Sequence, residues 1–210
     1  MSMDRKIIFR ISAIICGISG IIILLGVIVP IVGYQPVSQQ SRVLGSQNTD
    51  YTRASNWFTG GAKKEDFVAA KVAFYNLSIP KLRIDNMIVA IGGDDLSQNL
   101  IQYPGTALPG KNGNTVIFGH SILPLFYNPK DYMAIFSKLP TLKPGDEIFV
   151  NYDGVSFVYR VETMFEVRPT DIQVLEQDNS DSFLSLVTCV PPGDPRDPRR
   201  LIVRARVIPI

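Results

Sequence analysis

Two side chains of this chain have the types needed for thiol chemistry. His120 is the one histidine among 210 residues, and Cys189 is the one cysteine outside an apolar N-terminal run. Each ends a short apolar segment of the kind that forms a β-strand, and Arg199 and Arg200 begin a third such segment. A thiol nucleophile needs a base or a cationic neighbour, and the oxyanion formed by its attack needs a fixed donor. Cysteine, histidine and arginine at strand ends therefore predict thiol-dependent acyl transfer, whereas the alternative is a structural histidine and an inert, buried cysteine.

The N-terminal segment decides which compartment the rest of the chain occupies. Residues 11–32 are 22 consecutive uncharged residues, enough to cross a hydrocarbon core of about 30 Å as a helix. Three basic residues precede this run and the next one is Arg42, an asymmetry that places the N-terminus in the cytoplasm. The run is longer than the apolar part of a cleaved signal peptide, which is about 7–15 residues. We therefore expect a cytoplasmic tail over 1–10, a single-pass membrane anchor over 11–32, and the remainder outside the cell.

An extracellular location makes the unpaired cysteine informative. Exported proteins mostly use cysteines in disulfide pairs. Cys16 lies inside the predicted anchor, so Cys189 has no partner in the exported part. Such a thiol is either buried or used chemically, and a nearby guanidinium or imidazolium would raise its thiolate fraction.

The charge balance argues against several classes of ligand. Residues 33–210 carry 18 Lys and Arg against 18 Asp and Glu, because three of the 21 basic residues and one of the 19 acidic residues precede them. No basic stripe indicates nucleic acid, and no Asp/Glu pattern indicates a calcium site. We therefore expect no nucleic-acid partner, no metal and no cofactor.

The composition divides the exported part into a linker and one domain. Residues 33–71 are rich in polar residues and glycine without a sustained apolar period, which predicts a linker. Trp57 and Phe58 are the exception, because two large aromatic side chains are costly to expose. They either begin the folded domain, lie in the interface, or form a flap folded back over a groove.

Residues 72–210 have the pattern of β-structure with short connecting helices. Strands are expected over Leu77–Ile84 (with Pro80 suggesting an edge), Met87–Ile91, Asn114–Gly119, Glu147–Tyr152, Val155–Glu162, Phe183–Cys189 and Leu201–Ile208. Short helices are expected over Asp95–Tyr103 and Tyr132–Leu139, and a short helix or loop over Pro169–Gln177. Seven or eight strands at this spacing favour a mainly all-β fold, a closed or nearly closed barrel in a single domain.

Five motifs, taken in order, are similar to those of sortases. They are Tyr103-Pro-Gly-Thr-Ala-Leu-Pro-Gly-x-x-Gly-Asn114, Gly119-His120-Ser121, Leu139-x-x-Leu-Lys-Pro-Gly-Asp-Glu-Ile148, Thr188-Cys189 and Arg200-Leu-Ile-Val-Arg204. The resemblance covers roughly residues 75–210. It implies a membrane-anchored cysteine transpeptidase with an eight-stranded barrel. Such an enzyme cleaves a Leu-Pro-x-Thr-Gly-like sorting signal of a secreted protein after the Thr. It then passes the acyl group, through a thioester, to an amine of a cell-wall precursor or a pilin.

The same resemblance implies a role for each candidate residue. Cys189 would be the nucleophile, and His120 the acid for the leaving amine and then the base for the incoming one. Arg200 would hold the substrate and the oxyanion, with Arg199 as its rival. If Leu201 faces the core, strand alternation puts Arg199 on the same face and Arg200 on the other. The family pattern, an arginine immediately before a Leu-Leu-Val-like run, also selects Arg200.

Departures from the family pattern leave alternatives open. The chain has no apolar C-terminal segment and no Asp-Pro-aromatic lid, for which Trp57 and Phe58 are at best a loose analogue. A sortase that attaches proteins to the cell wall is therefore favoured over one that polymerises pilin. An L,D-transpeptidase is disfavoured, because Cys189 lacks that family's Ser-x-Gly-Cys context. A non-catalytic, membrane-anchored β-barrel binding domain is the alternative outside the enzymes.

Overall fold

Eight strands form a closed barrel in the computed structural model, which describes Ser19 and residues 50–61, 74–192 and 199–209. The strands are β1 (Phe74–Ile79), β2 (Ile84–Ile91), β3 (Leu100–Gln102), β4 (Gly113–Phe118), β5 (Glu147–Tyr152), β6 (Val155–Val167), β7 (Ser182–Val190) and β8 (Arg199–Ile208). Around the barrel their order is β1-β2-β3-β4-β7-β8-β6-β5, and β5 closes onto β1. The β2–β3 and β4–β7 pairs are parallel, and the other pairs are antiparallel. The predicted all-β barrel is confirmed.

Between β1 and β4, two features of the chain differ from the sequence predictions. The single strand expected over Leu77–Ile84 is interrupted by a 3-10 turn, Pro80–Leu82, because proline lacks the N–H that a continuous ladder requires. The helix expected over Asp95–Tyr103 is wrong. This region contains β3, which pairs with β2 and β4 and buries Leu100 in one apolar cluster and Ile101 in another, so that tertiary pairing overrides the local helical pattern.

Two further connections were expected to be helical. The helix expected over Tyr132–Leu139 is also wrong, since consecutive turns lead there into a 3-10 turn, Leu139–Thr141. Within Pro169–Gln177, a 3-10 turn over Ile172–Leu175 agrees with the short helix or loop expected there.

The strands β4 and β7 are covered on both faces, unlike a typical barrel wall. Their inner faces contribute Ile117, Leu184 and Leu186 to the main core of the barrel. Their outer faces contribute to a second apolar cluster, whose buried members are Ala54, Trp57, Phe58, Leu96, Ile101, Tyr103, Val116, Phe118, Val187 and Ile202. This double coverage explains why both strands are buried along nearly their whole length, including their polar residues.

Residues 50–61, hereafter the docked segment, provide much of this outer cover. Trp57 and Phe58 are buried, with 0% and 4% of their surface exposed. The segment is joined to the barrel by backbone hydrogen bonds, in which the Ala54 N–H donates to the Asp94 carbonyl at 3.0 Å and the Thr59 N–H donates to the Pro169 carbonyl at 3.0 Å. The linker predicted over 33–71 therefore does not hold for this part, because the two aromatic rings are stabilised by burial against the barrel.

The predicted membrane anchor falls almost entirely outside the described residues. Of residues 11–32, only Ser19 is described, and it is helical. Within the described part of the chain, no helix has the length and apolar character needed to cross a membrane.

Candidate active site

The parallel pair of β4 and β7 holds His120 beside Cys189. Beyond the paired residues, the ends of the two strands are joined by side-chain hydrogen bonds. Thr188 Oγ1 donates to the Gly119 carbonyl at 2.9 Å, and Ser121 Oγ donates to the Cys189 carbonyl at 2.8 Å. Because Gly119 and Ser121 flank the histidine in sequence, these bonds fix its backbone next to that of Cys189.

Gly119, immediately before His120, packs closely against two buried side chains. A Cβ atom at this position would lie 2.3 Å from a ring carbon of Phe136 and 2.6 Å from a methyl carbon of Leu100. Both side chains are fully buried, so neither has free space into which it can move. The absence of a side chain immediately before His120 is therefore a packing requirement of the site.

The antiparallel pair of β7 and β8 brings an arginine to the thiol. Cys189 lies directly opposite Arg200, and Arg200 Nη1 donates to Cys189 Sγ at 3.5 Å. Arg199 points elsewhere, with half of its side chain exposed and Nη1 3.6 Å from a carboxylate oxygen of Glu166. Strand alternation therefore places the two arginines as expected, with Leu201 in the main core and Arg200 on the outer face.

The Arg200 guanidinium is fully buried, which sequence reasoning did not anticipate. Its Nε donates to the Trp57 carbonyl at 3.1 Å, and its Cζ lies 5.3 Å from the ring centroids of both Tyr51 and Trp57. A desolvated cation over an aromatic face is stabilised by about 2 kcal/mol. Among the described residues, Nη2 has no hydrogen-bond partner. Nη1, by contrast, donates both to Cys189 Sγ and to the Arg199 carbonyl at 3.2 Å.

Burial keeps both candidate reacting groups in their neutral forms. It raises the pKa of the Cys189 thiol, and the Arg200 guanidinium opposes this effect without overcoming it. Burial also lowers the pKa of His120 below its ordinary value of about 6.5. At neutral pH the two groups are therefore mainly thiol and imidazole.

Comparison with known proteins places the chain in a family. The sequence model of the Sortase domain matches residues 77–208. The chain is a sortase. It is 26% identical to Sortase A of Bacillus anthracis over 204 residues, which cover 90% of each protein. Among solved structures, this sortase is similar to a Clostridium perfringens Sortase D5 transpeptidase, with 29% identity and a TM-score of 0.55 over 65% of this chain and 79% of the other. It is also similar to a lid mutant of Sortase A from Corynebacterium diphtheriae, with 28% identity and a TM-score of 0.57 over 68% and 73% of the two chains.

Membership confirms the family and the activity class predicted from the motifs. Sortases are cysteine transpeptidases that anchor or polymerise surface proteins, and this chain is one of them. This excludes the two alternatives outside the family, an L,D-transpeptidase and a non-catalytic binding domain. The sortases it resembles in structure belong to more than one type.

Proposed function

We propose that this sortase uses Cys189, His120 and Arg200 to transfer the acyl part of a sorting signal from a secreted protein to an amine of the cell wall. The observation that carries the proposal is the contact of Arg200 Nη1 with Cys189 Sγ at 3.5 Å. The fold holds His120 beside the same cysteine through the hydrogen bond from Ser121 to the Cys189 carbonyl. These two contacts support a site in which Cys189 is the nucleophile, His120 the proton carrier and Arg200 the cationic donor.

In the first half-reaction, Cys189 loses its proton to His120 and Sγ attacks the carbonyl carbon of the threonine in a Leu-Pro-x-Thr-Gly-like signal. Arg200 donates to the oxyanion as it forms, and its burial strengthens that interaction because little water competes for the charge. The C–N bond then breaks. His120 returns its proton to the leaving nitrogen, and the acyl group remains on the thiol as a thioester.

In the second half-reaction, an incoming amine attacks the thioester carbon. His120, now neutral, accepts the proton that the amine loses, and the C–S bond breaks to restore the thiolate. Because Cys189 is only partly exposed, the thioester would be shielded from bulk water until the amine arrives. This favours formation of an amide over hydrolysis.

The proposal also assigns a location and an acceptor. The uncharged run over 11–32, with basic residues before it, supports a single-pass anchor in the cell membrane with the catalytic domain outside. An enzyme placed there meets secreted proteins and the amines of cell-wall precursors. A pilin amine is the alternative acceptor, since the same site chemistry serves any unprotonated primary amine.

The test is a transpeptidation assay with the full-length protein in detergent. It is incubated with a library of sorting-signal peptides and, separately, with a cell-wall peptide amine or a lysine-bearing pilin peptide. We expect the mass of an amide product with the cell-wall amine, and no product with Cys189→Ala. A product with the pilin peptide alone would mean that the acceptor is a pilin amine and not a cell-wall amine. Product formed equally well by Cys189→Ala would overturn the assignment of the nucleophile.

A further inference from the structure

The docked segment meets the candidate site through Trp57. Two separate features of this residue contact the arginine: its backbone carbonyl accepts a hydrogen bond from Arg200 Nε at 3.1 Å, and its ring lies over the guanidinium, 5.3 Å from Cζ. The Tyr51 ring lies at the same distance from Cζ. The guanidinium is therefore bound by three groups of a segment more than 140 residues away in sequence.

Trp57 is itself rigidly held. Its indole Nε1 donates to the Tyr51 carbonyl at 2.8 Å, and its ring stacks on Phe118 at 5.1 Å with an angle of 13° between the planes. Phe118 ends β4, two residues before His120. The ring that orients the arginine thus also packs on the strand that carries the histidine.

We propose that Trp57 is a positioning residue of the sortase reaction, which fixes the Arg200 guanidinium so that Nη1 faces the Cys189 thiol. This inference rests on the proposed role of Arg200. A free arginine side chain has many rotamers, and only a few of them would place a donor at the sulfur. Trp57 and Tyr51 occupy Nε and the faces of the guanidinium, while Nη1 donates to Cys189 Sγ and to the Arg199 carbonyl at 3.2 Å. Nη2, which has no partner among the described residues, is left as the donor for an oxyanion.

The contrary possibility is that the docked segment blocks the site and must leave before substrate binds. The geometry favours positioning, because Arg200 Nη1 contacts Cys189 Sγ while the segment is in place. Cys189 also retains some exposure. Trp57 is fully buried and joined to the barrel by several interactions, as expected for a permanent part of the domain rather than for a displaceable cover.

The experiment compares three substitutions in the full-length protein in detergent. Trp57→Leu keeps an apolar side chain but removes the aromatic face, whereas Trp57→Phe keeps a face. Phe58→Leu is the matched control, because Phe58 is equally buried in the same segment and packs on Phe118 rather than on Arg200. Each variant is assayed for kcat and KM with a sorting-signal peptide, for thermal unfolding, and for the rate of Cys189 alkylation by iodoacetamide as a function of pH.

We expect Trp57→Leu to lower kcat by up to about 10²-fold with little change in KM, since misplacing a transition-state donor acts on the chemical step. Its alkylation profile should move to higher pH, because the cation that favours the thiolate is no longer held at the sulfur. Trp57→Phe should keep most of the parent kcat and a nearly unchanged alkylation profile. Phe58→Leu should change neither kcat nor the alkylation profile.

Equal losses of kcat in Trp57→Leu and Phe58→Leu, with an unchanged alkylation profile, would contradict the proposal. They would mean that Trp57 only stabilises the fold. A gain of activity in Trp57→Leu would show that the segment blocks the site. Should Trp57→Leu fail to fold, Tyr51→Leu removes the other ring over the guanidinium, and an unchanged alkylation profile there would overturn the proposal. The alkylation measurement needs no substrate, so it tests the positioning of Arg200 even where the peptide is not turned over.

Discussion

The two adjacent arginines offer the most discriminating test of the site. Arg200 donates from two atoms, from Nε to the Trp57 carbonyl at 3.1 Å, and from Nη1 to Cys189 Sγ at 3.5 Å and to the Arg199 carbonyl at 3.2 Å. The single ammonium of Arg200→Lys cannot occupy both positions, so one partner must be lost. Loss of one oxyanion donor costs about 10²–10³ in rate, or roughly 3–4 kcal/mol. A Trp57 carbonyl left without its donor would lower the free energy of unfolding by about 1–3 kcal/mol.

Arg199→Ala is the matched control, since Arg199 is half exposed and its Nη1 lies 3.6 Å from a carboxylate oxygen of Glu166. A surface ion pair contributes at most about 1 kcal/mol, so activity should stay within about fivefold of the parent. The assay is kcat/KM with a fluorogenic sorting-signal peptide, measured well below the unfolding temperature of each variant. A larger loss at Arg199 would refute the assignment, and equal losses would mean that the two arginines act as a unit.

Three further predictions concern the titrating groups and the anchor. His120 is the one histidine in the chain, so its single ring signal in an NMR titration should report a pKa below about 6.5, and a midpoint above that value would contradict its burial. The pH midpoint for alkylation of Cys189 should lie above that of free cysteine, because burial raises the pKa of the thiol. The midpoint should rise further in Arg200→Met, because the arginine opposes the effect of burial, and a lower midpoint in that variant would contradict this. The full chain should sediment with membranes and resist carbonate extraction, whereas a form lacking residues 1–33 in the culture medium would indicate a cleaved signal.

The barrel was predictable because most of its strands can be recognised from short stretches of sequence. Alternating apolar residues and turn signals identify strands such as Glu147–Tyr152, whose bounds agree with the prediction. The strand Leu100–Gln102 was not predicted, because three residues are too few to show an alternation of apolar and polar residues. It is stabilised instead by its two neighbouring strands.

The site was predictable in part for similar reasons. Strand alternation separates Arg200 from Arg199, because the apolar residues that follow define which face is inside. The burial of Arg200 and the partial burial of Cys189 were not predictable, since they depend on the docking of residues 50–61 onto strands far away in sequence. The only signal was the pair Trp57-Phe58 in an otherwise polar stretch, which indicates burial without indicating against what.

The role of Cys189 is tested most directly by trapping its acyl intermediate. The full-length protein in detergent is incubated with a sorting-signal peptide without an acceptor amine, and its intact mass is measured after a rapid acid quench. We predict a mass increase equal to the acyl fragment, mapped by proteolysis to Cys189 and absent in Cys189→Ala of unchanged circular dichroism. An adduct on another residue, or transpeptidation retained by Cys189→Ala, would contradict the central claim.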